Sequence, residues 1–147
     1  MLRKCVTSFW CTDQVLKCEF VDVPITETCF GCICRATGCN TDVPCENDAC
    51  GAFRITKPYW IDSGNWTYNS HSPENPESFV KCATNFYCSV ITMQEYMKKF
   101  KRDCNGDGKI DCDDFVAIHK LGFANCSDEL PENYFGRYDY CQSVVSE

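Results

Sequence analysis

No apolar run in this 147-residue chain approaches the roughly 20 residues that a helix needs to cross a bilayer. Residues 1–20 (MLRKCVTSFWCTDQVLKCEF) open on basic residues but hold no continuous apolar stretch, so they do not read as a working signal peptide. Positive charge is scarce as well: 14 Lys and Arg stand against 21 Asp and Glu, leaving a net charge of −7. Such a chain is not drawn to nucleic acid or to an anionic membrane by its overall field. Histidine occurs only twice, and His71 lies in a polar stretch that gives it nothing to act on. There is no internal repeat and no low-complexity tract.

Cysteine, by contrast, is dense. Fifteen in 147 residues is about the tenth of a chain that marks a disulfide scaffold. Bridges at that density form in an oxidising compartment, so a secreted, extracellular protein is expected. The sequons Asn65-Trp66-Thr67 and Asn125-Cys126-Ser127 agree with export. The odd count divides along the chain. Cys5, Cys11 and Cys18 fall in residues 1–20, which read as an appendage with at least one unpaired thiol. The other twelve form an even set, which predicts six bridges in a domain spanning 21–147. Cys34–Cys39, Cys45–Cys50 and Cys82–Cys88 are the short-range pairs expected, and the remaining connectivity stays open. With 44% apolar and 14% aromatic residues the chain can bury a core of its own, as a monomer of about one domain.

Local patterns place the elements. Residues 29–53, rich in Cys, Gly and Asn, read as tight turns or short strands. Residues 62–77 read as a surface loop carrying Asn65. A helix is predicted from Thr92, where Thr92 and Glu95 form a capping box and Ile91 and Tyr96 a hydrophobic staple. Val90, Met93, Met97 and Phe100 give it one apolar face for core packing, and Lys98, Lys99, Lys101 and Arg102 complement the dipole at its end. A second helix is predicted from Asp111 to Leu121 with Gly122 as its stop, and a short closing helix over 133–142.

Between the two main helices lies Asp103-Cys104-Asn105-Gly106-Asp107-Gly108-Lys109-Ile110-Asp111-Cys112-Asp113-Asp114. Side-chain oxygens fall at loop positions 1, 3, 5, 9 and 12, and Gly108 occupies the sixth, where a Ca²⁺ loop turns sharply. The candidate metal ligands are Asp103, Asn105, Asp107, Asp111 and Asp114 through their side chains and Lys109 through its carbonyl. The expected ion is a structural Ca²⁺, since nearby cysteines leave little room for helix opening.

Several stretches resemble the invertebrate-type (destabilase-like) lysozymes. They are Cys29-Phe30-Gly31-Cys32-Ile33-Cys34, Gly38-Cys39-Asn40, Cys50-Gly51-Ala52-Phe53-Arg54-Ile55, Lys57-Pro58-Tyr59-Trp60-Ile61-Asp62 and Ile118-His119-Lys120-Leu121-Gly122. The likeness runs from 29 to about 141, and the DCNGDG loop is similar to that of some arthropod members. It implies a mainly α, α+β lysozyme-like fold: a small disulfide-rich helical domain with a minor β-region, the helix–loop–helix calcium-type loop and a sugar-binding cleft. It further implies peptidoglycan or a chitin-like oligosaccharide as partner and hydrolysis of β-1,4 bonds between amino sugars.

Glycoside hydrolysis usually needs two carboxyl groups, one a general acid and the other a nucleophile or base. In the family the acid is a Glu just before Gly-Cys; here Thr37, or a short deletion, stands at that point. The family's second carboxylate lies in a C-N-x-D-V context, which makes Asp42 the candidate. Glu46 or Asp48 could replace the acid, although turn-capping loop carboxylates are the simpler reading. The resemblance also implies an isopeptidase centre with a Ser nucleophile, but Ala49 stands at the serine position while Lys57 and His119 remain. The expectation is a lysozyme-family protein whose hydrolysis is lost or weak; the alternative is a non-catalytic glycan-binding or structural defence protein.

Overall fold

The computed structural model describes residues 2–10, 13–21, 23–69 and 71–145, with side chains from Val23 onward. It opens with a hairpin of β1 (Leu2–Trp10) and β2 (Asp13–Val21), paired antiparallel from Leu2↔Val21 to Trp10↔Asp13. The expectation of an unpaired thiol among Cys5, Cys11 and Cys18 concerns side chains outside the described residues.

Helix α1 (Glu27–Thr37) follows. Thr26 caps it by accepting from the Cys29 N–H at 3.2 Å, and Gly38, at φ +98°, ends it with its N–H on the Arg35 carbonyl. This corrects the reading of 29–53 as turns and short strands. Within α1 cysteine is a buried apolar side chain, and Cys29, Cys32, Ile33 and Ala36 repeat at helical spacing on one face. The expected β-region comes next: β3 (Cys45–Glu46), β4 (Ala49–Cys50) and β5 (Ile55–Thr56) form one antiparallel sheet in that order. Asn47 and Asp48, both at positive φ, make the two-residue hairpin turn between β3 and β4.

Among the described residues five more helices follow, and four of them close around this frame: α2 (Lys57–Ser63), α3 (Ser78–Thr84), α4 (Phe86–Phe100) and α5 (Cys112–Leu121). Helix α6 (Glu132–Val145), longer than the 133–142 expected, packs along α1. Helix α5 begins as predicted, with Asp111 as its cap and a capping box to Asp114. Helix α4 begins earlier than predicted. Asn85 is its cap, accepting from the Cys88 N–H at 2.9 Å, so Thr92 and Glu95 lie mid-helix. Thr92 is fully buried and donates to the Cys88 carbonyl at 2.9 Å, Glu95 pairs with Lys98 at 2.7 Å, and Ile91 is exposed rather than stapled. The predicted apolar face survives this shift, because Met93 and Met97 sit in the core.

The core runs between α1, α4 and α5 through Ile33, Met93, Met97 and Ile118, with Phe53 and Ile55 from the β-region. Gln94 ties the chain ahead of α1 to α4: its amide accepts from the Ile25 N–H at 2.9 Å and donates to the Ile25 carbonyl at 2.6 Å. All twelve cysteines from Cys29 onward are paired. The three short-range bridges are those expected, and Cys29–Cys112, Cys32–Cys141 and Cys104–Cys126 complete the set.

Two glycines separate backbone constraint from tolerance. Gly51 sits at φ +77°, and a Cβ there would lie 1.8 Å from the Ala83 carbonyl oxygen. Gly31 lies inside α1 with open space around its Cβ position. Gly51→Ala is expected to destabilise the fold by more than about 1 kcal/mol. Gly31→Ala is expected to stabilise it by about 0.5–1 kcal/mol. Denaturant unfolding of the two variants checks both signs.

Candidate functional site

A cleft of about 450 Å³ opens where the C-terminal end of α1 meets β4, β5, the start of α2, the end of α5 and α6. Thr37, the last residue of α1, lines it. The single Thr37 hydroxyl proton is shared between the Cys34 carbonyl at 2.9 Å and the Ala52 carbonyl at 2.8 Å, which ties the helix end to the β-region. An alkyl hydroxyl held this way has no proton to deliver near neutral pH.

The other residues singled out from sequence lie elsewhere. Asp42 is exposed in the segment after α1, where its N–H donates to the Asn40 side chain at 2.8 Å, and it does not line the cleft. Glu46 is on β3, 3.8 Å from Arg54, and Asp48 is in the hairpin turn; neither lines the cleft. Among the described residues Asp62, on α2, is the one carboxylate that does, and it is exposed. Ala49 lines the cleft without a hydroxyl, and Lys57 is exposed at the start of α2. A second, larger groove, edged by Glu27 and Arg35, is mostly apolar, with Ile25, Phe30 and Phe86 in its wall.

His119 forms the cleft floor. A carbonyl oxygen only accepts, so Nε2, 2.7 Å from the Phe53 carbonyl, carries the proton. That leaves Nδ1 to accept from the Tyr59 hydroxyl at 3.3 Å. Burial holds the imidazole well below its ordinary range, at about 4. His119 is therefore neutral at pH 7. Tyr59 stacks on Tyr96 at 3.9 Å, and burial raises both phenols; Tyr134 is raised for the same reason. None of these groups is a proton donor matched to neutral pH.

Sequence reasoning assigned no role to Asp62, Arg54, Lys120 or Arg137, all of which line the cleft. Asp62, Arg54 and Lys120 lie inside the motifs quoted above, but nothing local to them says which way they face. Arg137 reaches the cleft from α6, donating through Nε and one Nη to the Ala36 carbonyl at 3.0 and 2.6 Å, a contact 101 residues apart in sequence.

In the calcium-type loop the expected oxygens are held by the loop's own backbone. Asp103 accepts from the Gly106, Asp107 and Gly108 N–H groups, Asn105 from Asp107, and Asp107 from Lys109. Asp114, fully buried, accepts from Cys104 at 2.7 Å and Asp111 at 2.9 Å. Asp103 Oδ1 takes two of these N–H groups, from Gly106 and Asp107, while its Oδ2 takes one; an all-oxygen set of this kind is the donor type a hard cation uses. Among the described residues no three or more acidic, histidine or cysteine side chains converge as a metal-binding group. The loop is anchored by Cys104–Cys126 and Cys29–Cys112, each tied outside it.

A small helical domain with a three-stranded sheet, six bridges among its described residues and a cleft at the end of its first helix is a lysozyme-like fold. The Destabilase family model matches residues 26–141, and the chain belongs to that family, the invertebrate-type lysozymes. It is 33% identical to Lysozyme 1 of Crassostrea virginica over 77% of this chain, and it spans somewhat over half, 58%, of that protein's length. It is 32% identical to the lysozyme of Ostrea edulis, over 82% of this chain and 84% of that one. Its fold is similar to the crystal structure of Aeromonas hydrophila PliI in complex with Meretrix lusoria lysozyme, with a TM-score of 0.62 and 27% identity over 85% of this chain and 94% of that chain.

The half-buried histidine gives a pH test. Its pKa in the folded state, about 4, lies below the unfolded value of about 6.5. Between those values the unfolded chain takes up a proton that the folded chain refuses. This contribution is therefore intact above pH 6.5 and is lost as pH falls towards 4, by at most about 1.4 kcal/mol per pH unit. His119→Gln keeps an N–H for the Phe53 carbonyl and does not titrate. The wild-type minus variant stability should be level above pH 6.5 and fall below it; a level difference down to pH 4 would contradict a half-buried neutral imidazole.

Proposed function

We propose that this chain is a secreted lysozyme-family protein that engages amino-sugar polymers, bacterial peptidoglycan or a chitin-like oligosaccharide, with hydrolysis lost or weak. One observation carries the reading: at the helix end where the family places its acid, the cleft presents Thr37, and the one carboxylate lining it among the described residues is the exposed Asp62. General acid–base assistance contributes about 10²–10⁴-fold, and the poor leaving group of a glycoside puts the loss at the upper end. Binding need not fall with it, since cleft walls of aromatic rings and amides hold sugars without an acid. Secretion is inferred from the six bridges.

Purified protein should clear a suspension of bacterial walls at least about 10³ times more slowly than an active lysozyme at equal concentration. Clearing at the active enzyme's rate, abolished by Asp42→Asn or Asp62→Asn, would replace this reading with an enzyme.

The arthropod-like Ca²⁺ loop over 103–114 is a further part of the proposal, supported by donor type and spacing. A bound ion would pin the start of α5. Chelator should lower the melting temperature by several degrees and Ca²⁺ restore it, with Asp103→Asn blunting the response. A melt indifferent to chelator removes the ion.

A further inference from the structure

We infer that the cleft selects an anionic sugar, a unit bearing a carboxylate or sulfate, over a neutral one. This rests on the glycan-binding reading above and narrows it. Among the described residues Arg54, Lys120 and Arg137 line the cleft against the single carboxylate of Asp62, three positive charges to one negative. The chain as a whole carries −7, so this concave surface opposes the protein's own field. A concave wall of one sign focuses potential and raises the local concentration of the opposite charge.

The cations are placed rather than loose, and they are largely uncommitted. The two Arg137 contacts to the Ala36 carbonyl fix the guanidinium at the negative end of α1 and leave one Nη free of that contact. Arg54 is held by its Nη1 on the Val43 carbonyl at 3.0 Å, and its link to Glu46, at 3.8 Å, is long. Lys120 lies 5.4 Å above the Tyr134 ring. Among the described residues neither Lys120 nor Arg137 has a carboxylate partner. Guanidinium groups so positioned suit the paired oxygens of a carboxylate or sulfate.

Thr37 belongs to the same argument. A glutamate there would put a negative charge next to Ala36, whose carbonyl holds Arg137, and would offset the cation. A neutral residue at 37 leaves the positive charge available to a ligand.

The test is calorimetric titration of the full chain with three size-matched tetrasaccharides. These are neutral chitotetraose, a peptidoglycan-derived tetrasaccharide carrying lactyl carboxylates, and a sulfated glycosaminoglycan tetrasaccharide. At least one charged probe should bind at least tenfold tighter than chitotetraose at low salt, with the advantage shrinking as salt rises. The tighter of the two identifies the source of the charge. Arg137→Gln should narrow the charged-to-neutral ratio three- to tenfold. Lys120→Gln, at an exposed side chain outside the backbone contacts, should do the same if Arg137→Gln fails to fold. Equal affinity for neutral and charged probes, or a ratio unmoved by Lys120→Gln, overturns the inference while glycan binding stands. Absence of binding to all three probes overturns glycan binding itself.

Discussion

Helix α1 is the element to which the rest of the molecule is tied. Cys29–Cys112 fixes its first turn to the start of α5, and Cys32–Cys141 fixes its middle to α6. These bridges close segments of 83 and 109 residues, and in the chain-entropy account a loop near 100 residues is worth about 4–5 kcal/mol against the unfolded state. With α5 and α6 both drawn to one helix, the cleft at its C-terminal end is assembled from distant parts: Thr37 from α1, Tyr59 from α2, His119 from α5 and Arg137 from α6. Cys34–Cys39 then turns the chain sharply out of the helix, sending Asp42 onto an exposed segment.

The cleft sets an uncharged floor within a charged rim. A neutral imidazole locked between a carbonyl and a phenol, a stacked tyrosine pair and a hydroxyl bound to two carbonyls make a rigid, polar floor with no transferable proton at neutral pH. What surrounds that floor is cationic. Rigidity favours recognition, because a preformed surface loses little freedom on binding. Hydrolysis asks for something else: a protonated group against the leaving oxygen and a second carboxylate across the bond.

Much of the fold could be read from the residues alone, and the misses have physical causes. Helix α5 was legible because Asp111, Asp114 and Gly122 cap it through local contacts. The six-bridge count followed from the even set of cysteines, and the three short bridges from their spacing. Helix α1 was misread because cysteines were counted as turn residues, whereas half-cystines pack as apolar side chains at helical spacing. The start of α4 was misplaced because Thr92–Glu95 satisfies the capping pattern as well as Asn85 does, and the burial that put Thr92 mid-helix is a tertiary fact. Of the cleft, Thr37 could be located through its motif. Arg137 could not, since its contact spans the chain, and nothing local distinguishes the inward Asp62 from the outward Asp42.

The most direct measurement is a count of new reducing ends. A soluble peptidoglycan oligomer is incubated for a day with excess purified protein and its products are weighed by mass spectrometry. The absence of a transferable proton predicts intact oligomer, with cleavage indistinguishable from buffer. Shortened oligomers in multiple-turnover amounts would contradict it, and would mean that a carboxyl group reaches the scissile oxygen after all.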